Sequence, residues 1–267
     1  MFLRLFSIEW TRVSRRPLLW LAWAACILYI GLGISRYYTL GRTDLLNGTL
    51  KMPGAAFDLA NALDQLLVAI PLLLILAAIL MGDDYSQRTN QHWLMHAPRS
   101  TSLLAKFAVL VFVTLVTQVI ALFAGALVGF YYKTYIYGVP NLPNVDWLAA
   151  AAAPLYMTLV NLPYLALALA LSVLLRSALF GAMLGLGYGQ FLDLLMSGIF
   201  HGAGWTRWLF TNVHFSASFL LNAIGSRSVD PPAHILAPAA ALVTAAAYTL
   251  TLLAFAIWLY RRQNLSG

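Results

Sequence analysis

The side chains able to do chemistry in this chain are few enough to weigh one by one. Its 267 residues carry 16 Lys and Arg, 9 Asp and Glu, 5 His and 1 Cys. A bound metal needs His, Cys or carboxylates clustered at helical or loop spacing. Of His92, His96, His201, His214 and His234, only the first two stand four apart, and Trp93 occupies the place where a His-Glu-x-x-His frame needs its glutamate. No metal site is expected. Cys26 lies within an apolar run and has no second cysteine to pair with. A phosphate-cradling loop needs Gly-Lys followed by Ser or Thr. Lys51, Lys106 and Lys133 follow Leu50, Ala105 and Tyr132, so that loop is absent. If ATP drives this protein, the nucleotide and its Mg sit on another chain. Gly187-Tyr188-Gly189 approaches the Gly-x-Gly-Asp element of an intramembrane aspartyl protease, but Gln190 stands where the carboxylate must be. Met196-Ser197-Gly198 offers a serine without the upstream glycine that an intramembrane serine protease uses. No catalytic set is complete.

What remains is a handful of polar side chains in apolar surroundings. Asp193 interrupts a run otherwise free of charge, with Gln190 three residues before it. Gln118 stands midway along another run, and Asn161 two residues before Pro163 in a third. Asp64 lies near the end of a fourth. Charge in hydrocarbon is costly and marks functional positions. Gln118, Asn161, Gln190 and Asp193 are therefore candidates for a translocation path or a proton relay. The competing reading is that the amides bond helices together and Asp64 reaches the interface. Gly181, Gly185 and Gly189 recur every four residues and clear one helix face for close approach. That face can meet helices of the same chain or a second copy of it.

The elements that must hold these residues follow from composition. Hydrophobic residues make up 61% of the chain and charged ones 9%, against roughly 25% charged in an ordinary soluble domain. A soluble enzyme, a disordered chain and a disulfide scaffold are excluded, and a polytopic membrane protein is expected. The net charge of +7 belongs to cytoplasmic flanks and anionic headgroups rather than to nucleic acid. Six runs are long and apolar enough for spans, at 17–35, 65–82, 107–132, 147–175, 177–200 and 231–260. The second can start earlier, near Asp58. The first is read as a retained anchor, because Ala22-Trp23-Ala24 lies inside the run rather than after it. With the N-terminus inside, ten Lys and Arg fall on the cytoplasmic side against six outside, so both termini are expected in the cytoplasm. Phe2, Phe6, Trp10 and Val13 share one face of a helix whose other faces carry Arg4, Arg12 and Arg15. That pattern predicts an interfacial helix on the inner leaflet. The outer loops are expected at 36–58, 133–146 and 201–234, the last rich in Trp and Phe and so forming short helices at the outer leaflet. No repeat or low-complexity linker divides residues 1–267, so one domain is expected.

The segment from Asp83 to Lys106, between the second and third spans, is the most unusual. Asp83-Asp84 opens it, Pro98-Arg99-Ser100 closes it, and Trp93, Leu94 and Ala97 form an apolar stripe on an otherwise polar helix. Such a helix is either a solvated connector or a piece that fits a partner's groove. The acidic start, Thr89, the Pro-Arg-Ser turn and Lys106 together resemble the second cytoplasmic segment of type-2 ABC transporter permeases. Glu9, Arg12, Arg15, Arg16 and Pro17 resemble that family's N-terminal elbow helix, and Tyr260-Arg261-Arg262 with Asn264-Leu265 its closing aromatic-basic motif. Arg88 departs from the glycine usual before the Thr, and Gln263-Asn264 from the usual basic-Asp pair.

The resemblance covers essentially the whole chain. It implies an all-helical fold of six transmembrane helices, an elbow helix and a coupling helix that docks on a separate ABC-type ATPase. It further implies a homodimeric exporter subunit in a bacterial inner membrane, with ATP and Mg in the partner and no cofactor on this chain. Asp84, Arg88, His92, Trp93 and Arg99 are the expected coupling contacts, since they offer charge and an aromatic anchor. The glycine face of the fifth span becomes a candidate dimer contact. The alternative is a proton-coupled transporter acting alone, for which Asp193 would be essential.

Overall fold

The computed structural model describes residues 1–40, 55–63, 69–86, 98–136, 138, 145–200, 203–225 and 235–263. Every regular element among them is helical. These are α1 (Phe2–Ser14), α2 (Pro17–Leu40), α3 (Ala55–Leu63), α4 (Ala69–Ser86), α5 (Arg99–Tyr131), α6 (Trp147–Leu175), α7 (Ala178–Leu186), α8 (Asp193–Ile199), α9 (Phe210–Ser218) and α10 (Pro238–Arg262). A π-helical stretch, Gly187–Leu192, joins α7 to α8, and another, Tyr132–Ile136, extends α5. Two 3-10 segments, Thr206–Trp208 and Phe219–Gly225, flank α9.

Five helices are long and apolar enough to cross a bilayer: α2, α5 with its extension, α6, the continuous α7–α8 helix, and α10. The second expected run corresponds to α4, whose apolar stretch among the described residues is Ile70–Gly82, about 20 Å at 1.5 Å per residue against about 30 Å of hydrocarbon. Leu73, Leu74, Leu76, Ala77, Ala78, Leu80 and Met81 are all buried. Like α6, this helix packs mostly against protein.

Burial sorts the remaining helices. Within α6, 72% of the membrane-length stretch is buried, against 50% for α5 and 28% for each of α2, α7–α8 and α10. The central helix is α6, and the outward faces of the others carry exposed apolar residues such as Leu28, Phe123, Phe191 and Leu250. Pro163 leaves the carbonyl of Leu159 without its helical donor. Arg176 then ends α6 in the left-handed region (φ 51°), and Ser177 caps α7 by accepting from Phe180 N at 3.4 Å. Two residues thus reverse the chain. A Cβ at Gly82 would lie 2.2 Å from that of Ala178, so only glycine lets the end of α4 meet the start of α7.

The helix expected from the Phe2, Phe6, Trp10 and Val13 pattern is α1. Its apolar face covers part of α5, with the rings of Phe6 and Trp10 set edge-on to Phe112 at 6.2 and 5.0 Å. Trp20 in α2 donates to the carbonyl of Ser14 at 2.9 Å, and Trp23 donates to Thr117 of α5 at 3.0 Å. Both α1 and α2 are thereby held against α5.

Candidate functional site

Charged side chains that water cannot reach gather at both ends of the bundle. At the α1 end, Lys106 is 1% exposed. Its ammonium lies 2.8 Å from Glu9 Oε1 and 3.1 Å from Asp84 Oδ2. Arg12 closes the set, 3.2 Å from Glu9 and 3.6 Å from Asp84. Two cations face two carboxylates, one each from α1 and α4. Buried charge is tolerable only when so compensated. The consequence is mechanical: α1, the last turn of α4 and the first turns of α5 share one set of ion pairs.

Asp84 stands just before residues 87–97, and Arg99 just after them. Arg99 is half-buried and donates to the carbonyls of Tyr260, at 3.4 Å, and Gln263. Arg261 reaches Ser100 Oγ at 3.3 Å. Two of the five expected coupling contacts thus point into their own chain. Asp84 is 4% exposed, with its carboxylate turned to Lys106 and Arg12. Arg88, His92 and Trp93 lie outside the described residues, as does Asp64.

The opposite end holds a cluster that the sequence pattern does not announce. Asp58 and Lys133, which the sequence places at the flanks of outer loops, are both 2% exposed and sit in helical segments. Lys133 Nζ lies 2.5 Å from Asp58 Oδ2, and Tyr38 of α2 donates to the same carboxylate at 3.1 Å. A Cβ at Gly129 would lie 2.2 Å from Asp58 Oδ2, so glycine is what admits the carboxylate against α5. A sequence signal was available in retrospect: Asp58 and the stacked partners Tyr38 and Tyr132 lie within or beside apolar helices.

The candidate path residues fall into separate settings. Asp193, 1% exposed, caps α9: its carboxylate accepts from Phe210 N at 3.2 Å, from Thr211 N at 2.5 Å and from the Thr211 hydroxyl. That is a structural duty. Asn161 Oδ1 lies 3.1 Å from Nδ1 of buried His214. Gln118 is fully buried in α5, and its amide has no hydrogen-bond partner among the described residues. Gln190 is half-buried in the π-helical stretch.

The glycine face is occupied within the chain, the first of the two uses that its spacing allows. A Cβ at Gly181 would lie 2.1 Å from Ser172 Oγ, one at Gly189 3.0 Å from the Tyr164 ring, and one at Gly185 3.5 Å from Leu74. All three turn toward α6 and α4.

A family model described as ABC-2 family transporter protein matches residues 5–191, from α1 through most of the fifth apolar run. The chain belongs to the ABC-2 transporter family. It is thus a membrane subunit of an ABC transporter, in a family whose members work with an ABC ATPase. No curated protein matches the chain. No solved structure matches it either. In this ABC-2 permease the matched region holds both buried ion clusters and the whole of segment 87–97. The last span and the cap on α9 lie outside the match.

Proposed function

We propose that this chain is the membrane half of an ATP-driven exporter, acting as a homodimer with two ATPase subunits that bind ATP and Mg. Residues 87–97 would dock on the ATPase, with Arg88, His92 and Trp93 as contacts. The observation that carries this reading is the anchoring of both flanks of that segment. Asp84 before it is ion-paired to Lys106 and Glu9, and Arg99 after it is bonded to the last turn of α10. A solvated connector has no need of such anchors. A lever does, because a push on an untethered loop is absorbed by the loop.

The mechanism follows from those ties. Closure of the ATPase around nucleotide displaces residues 87–97. The buried ion pairs transmit that displacement to α1, α4 and α5 together, since parting them would strand a charge away from water. The helices then tilt as a group and open the path on the far side, in the bacterial cytoplasmic membrane with both termini inside. Six spans result if α4 crosses with the residues that precede it. The exposed apolar faces of α2 and α7–α8 supply the surface for a second copy. A proton relay is less well served, because Asp193 already spends its acceptors on α9.

Affinity purification from the native membrane in mild detergent tests this. The expected result is a co-purified ATPase with vanadate-sensitive hydrolysis. A chain recovered alone, with no hydrolysis, refutes the proposal.

A further inference from the structure

The residue that caps α10 at its C-terminal end is bonded through both its side chain and its backbone. Gln263 is 9% exposed. Its Oε1 accepts from the Tyr85 hydroxyl at 2.8 Å, and its Nε2 donates to the carbonyl of Val173 at 2.6 Å. Its own backbone carbonyl accepts from the Arg99 guanidinium. Tyr85 precedes segment 87–97 and Arg99 follows it, so one residue holds both flanks.

Val173 lies in the final turn of α6, where carbonyls have no helical donor of their own. An N–H brought from outside therefore fills an empty place. The chemistry selects an amide. Glutamate could accept from Tyr85 but has no donor for Val173, and leucine can do neither.

We propose that Gln263 is a positioning residue of the coupling machinery, carrying displacement of segment 87–97 into the central helix α6 and into α10. This rests on the coupling reading above. The ion pairs of Glu9, Asp84 and Lys106 reach α1, α4 and α5; α6, the helix with the most buried surface, packs directly on α4 and α5, and Gln263 adds the hydrogen bonds that tie its last turn to Tyr85. Tyr85 delivers the motion, the amide relays it, and Val173 receives it.

The test uses the whole permease–ATPase complex in nanodiscs of phosphatidylethanolamine and phosphatidylglycerol. Hydrogen exchange is compared with and without ATP plus vanadate, peptide by peptide. In the parent, trapping is expected to change exchange in peptides covering 87–97, 168–175 and 253–263. In Gln263→Leu the change at 87–97 stays and that at 168–175 falls at least about 5-fold, the ratio expected from one net hydrogen bond. Gln263→Glu, which keeps the acceptor for Tyr85, loses the α6 response in the same way. Tyr85→Phe removes a single hydroxyl and should also reduce it, which preserves the test if Gln263→Leu fails to fold. Reading the nucleotide-dependent difference separates relay from a general loosening of the helix end. An undiminished response at 168–175 in Gln263→Leu and Tyr85→Phe overturns this inference alone. A parent complex whose 87–97 segment ignores nucleotide overturns the coupling reading and this inference with it.

Discussion

Lys106 keeps its charge where water is excluded because Glu9 and Asp84 both lie within 3.1 Å. Removing Lys106 leaves two buried carboxylates with Arg12 as their one remaining cation in the cluster. Lys106→Met is expected to cost about 3–5 kcal/mol, the usual penalty for stranding a buried charge. The triple variant Glu9→Gln, Asp84→Asn, Lys106→Met leaves only Arg12 without its carboxylates, and Arg12 reaches water, so it should regain most of that loss. Thermal unfolding in detergent, followed by helical circular dichroism, checks this; a triple variant no more stable than the single one refutes it. Asp193 makes a smaller contribution, as a helix cap. Asp193→Ala removes acceptors from Phe210 and Thr211 and should cost about 1 kcal/mol, or roughly 2–4 °C for a chain this size. A melting point equal to the parent's would show that the cap contributes nothing.

Among elements, the hairpin of α6 and α7 makes the sharpest demand on sequence. Gly181 faces Ser172 so closely that a Cβ would lie 2.8 Å from its Cα, whereas at Gly185 the nearest atom is 3.5 Å away. Alanine should therefore behave differently at two positions that look alike in sequence. Gly181→Ala is expected to destabilise by about 1–3 kcal/mol through overpacking, and Gly185→Ala to be nearly neutral. Melting curves of the two variants decide it. Equal losses would show that α7 does not sit on α6 as described. If both variants instead changed the dimer fraction on size-exclusion chromatography, the glycine face would belong to a second copy after all. The six apolar runs were legible because charge marks at least one end of each; the fourth run and α6 coincide at Trp147–Leu175. What surrounds the second run was not legible, since an apolar stretch reads alike whether lipid or protein packs against it.

For the whole molecule, the two buried ion clusters sit near opposite ends of α5, at Lys106 and Lys133. Twenty-seven residues of helix separate them, about 40 Å. Motion delivered at one end has a rigid rod to the other. Trp93→Ala should leave the permease inserted and bound to its ATPase, yet abolish the response of α1 and α5 to nucleotide. Hydrogen exchange of peptides 2–14 and 99–115 measures this, and a response equal to the parent's would place the docking contact elsewhere.

Composition alone excluded a soluble fold, because 9% charged residues cannot coat a globule in water. The lysine contexts alone ruled out a phosphate loop of the Walker type. The segment 83–106 and the two terminal motifs pointed to the family, since short motifs survive in linear order. Only the tertiary structure decided which charges meet. Glu9 and Lys106 are 97 residues apart, Asp58 and Lys133 75, and Gln263 and Val173 90. Periodicity reports which face of a helix is apolar, but pairing depends on which helices adjoin and at what height, and no local window holds that. The same limit hid the duty of Asp193. A lone carboxylate in an apolar run looks like a proton carrier until the helix end that needs its oxygens is seen beside it.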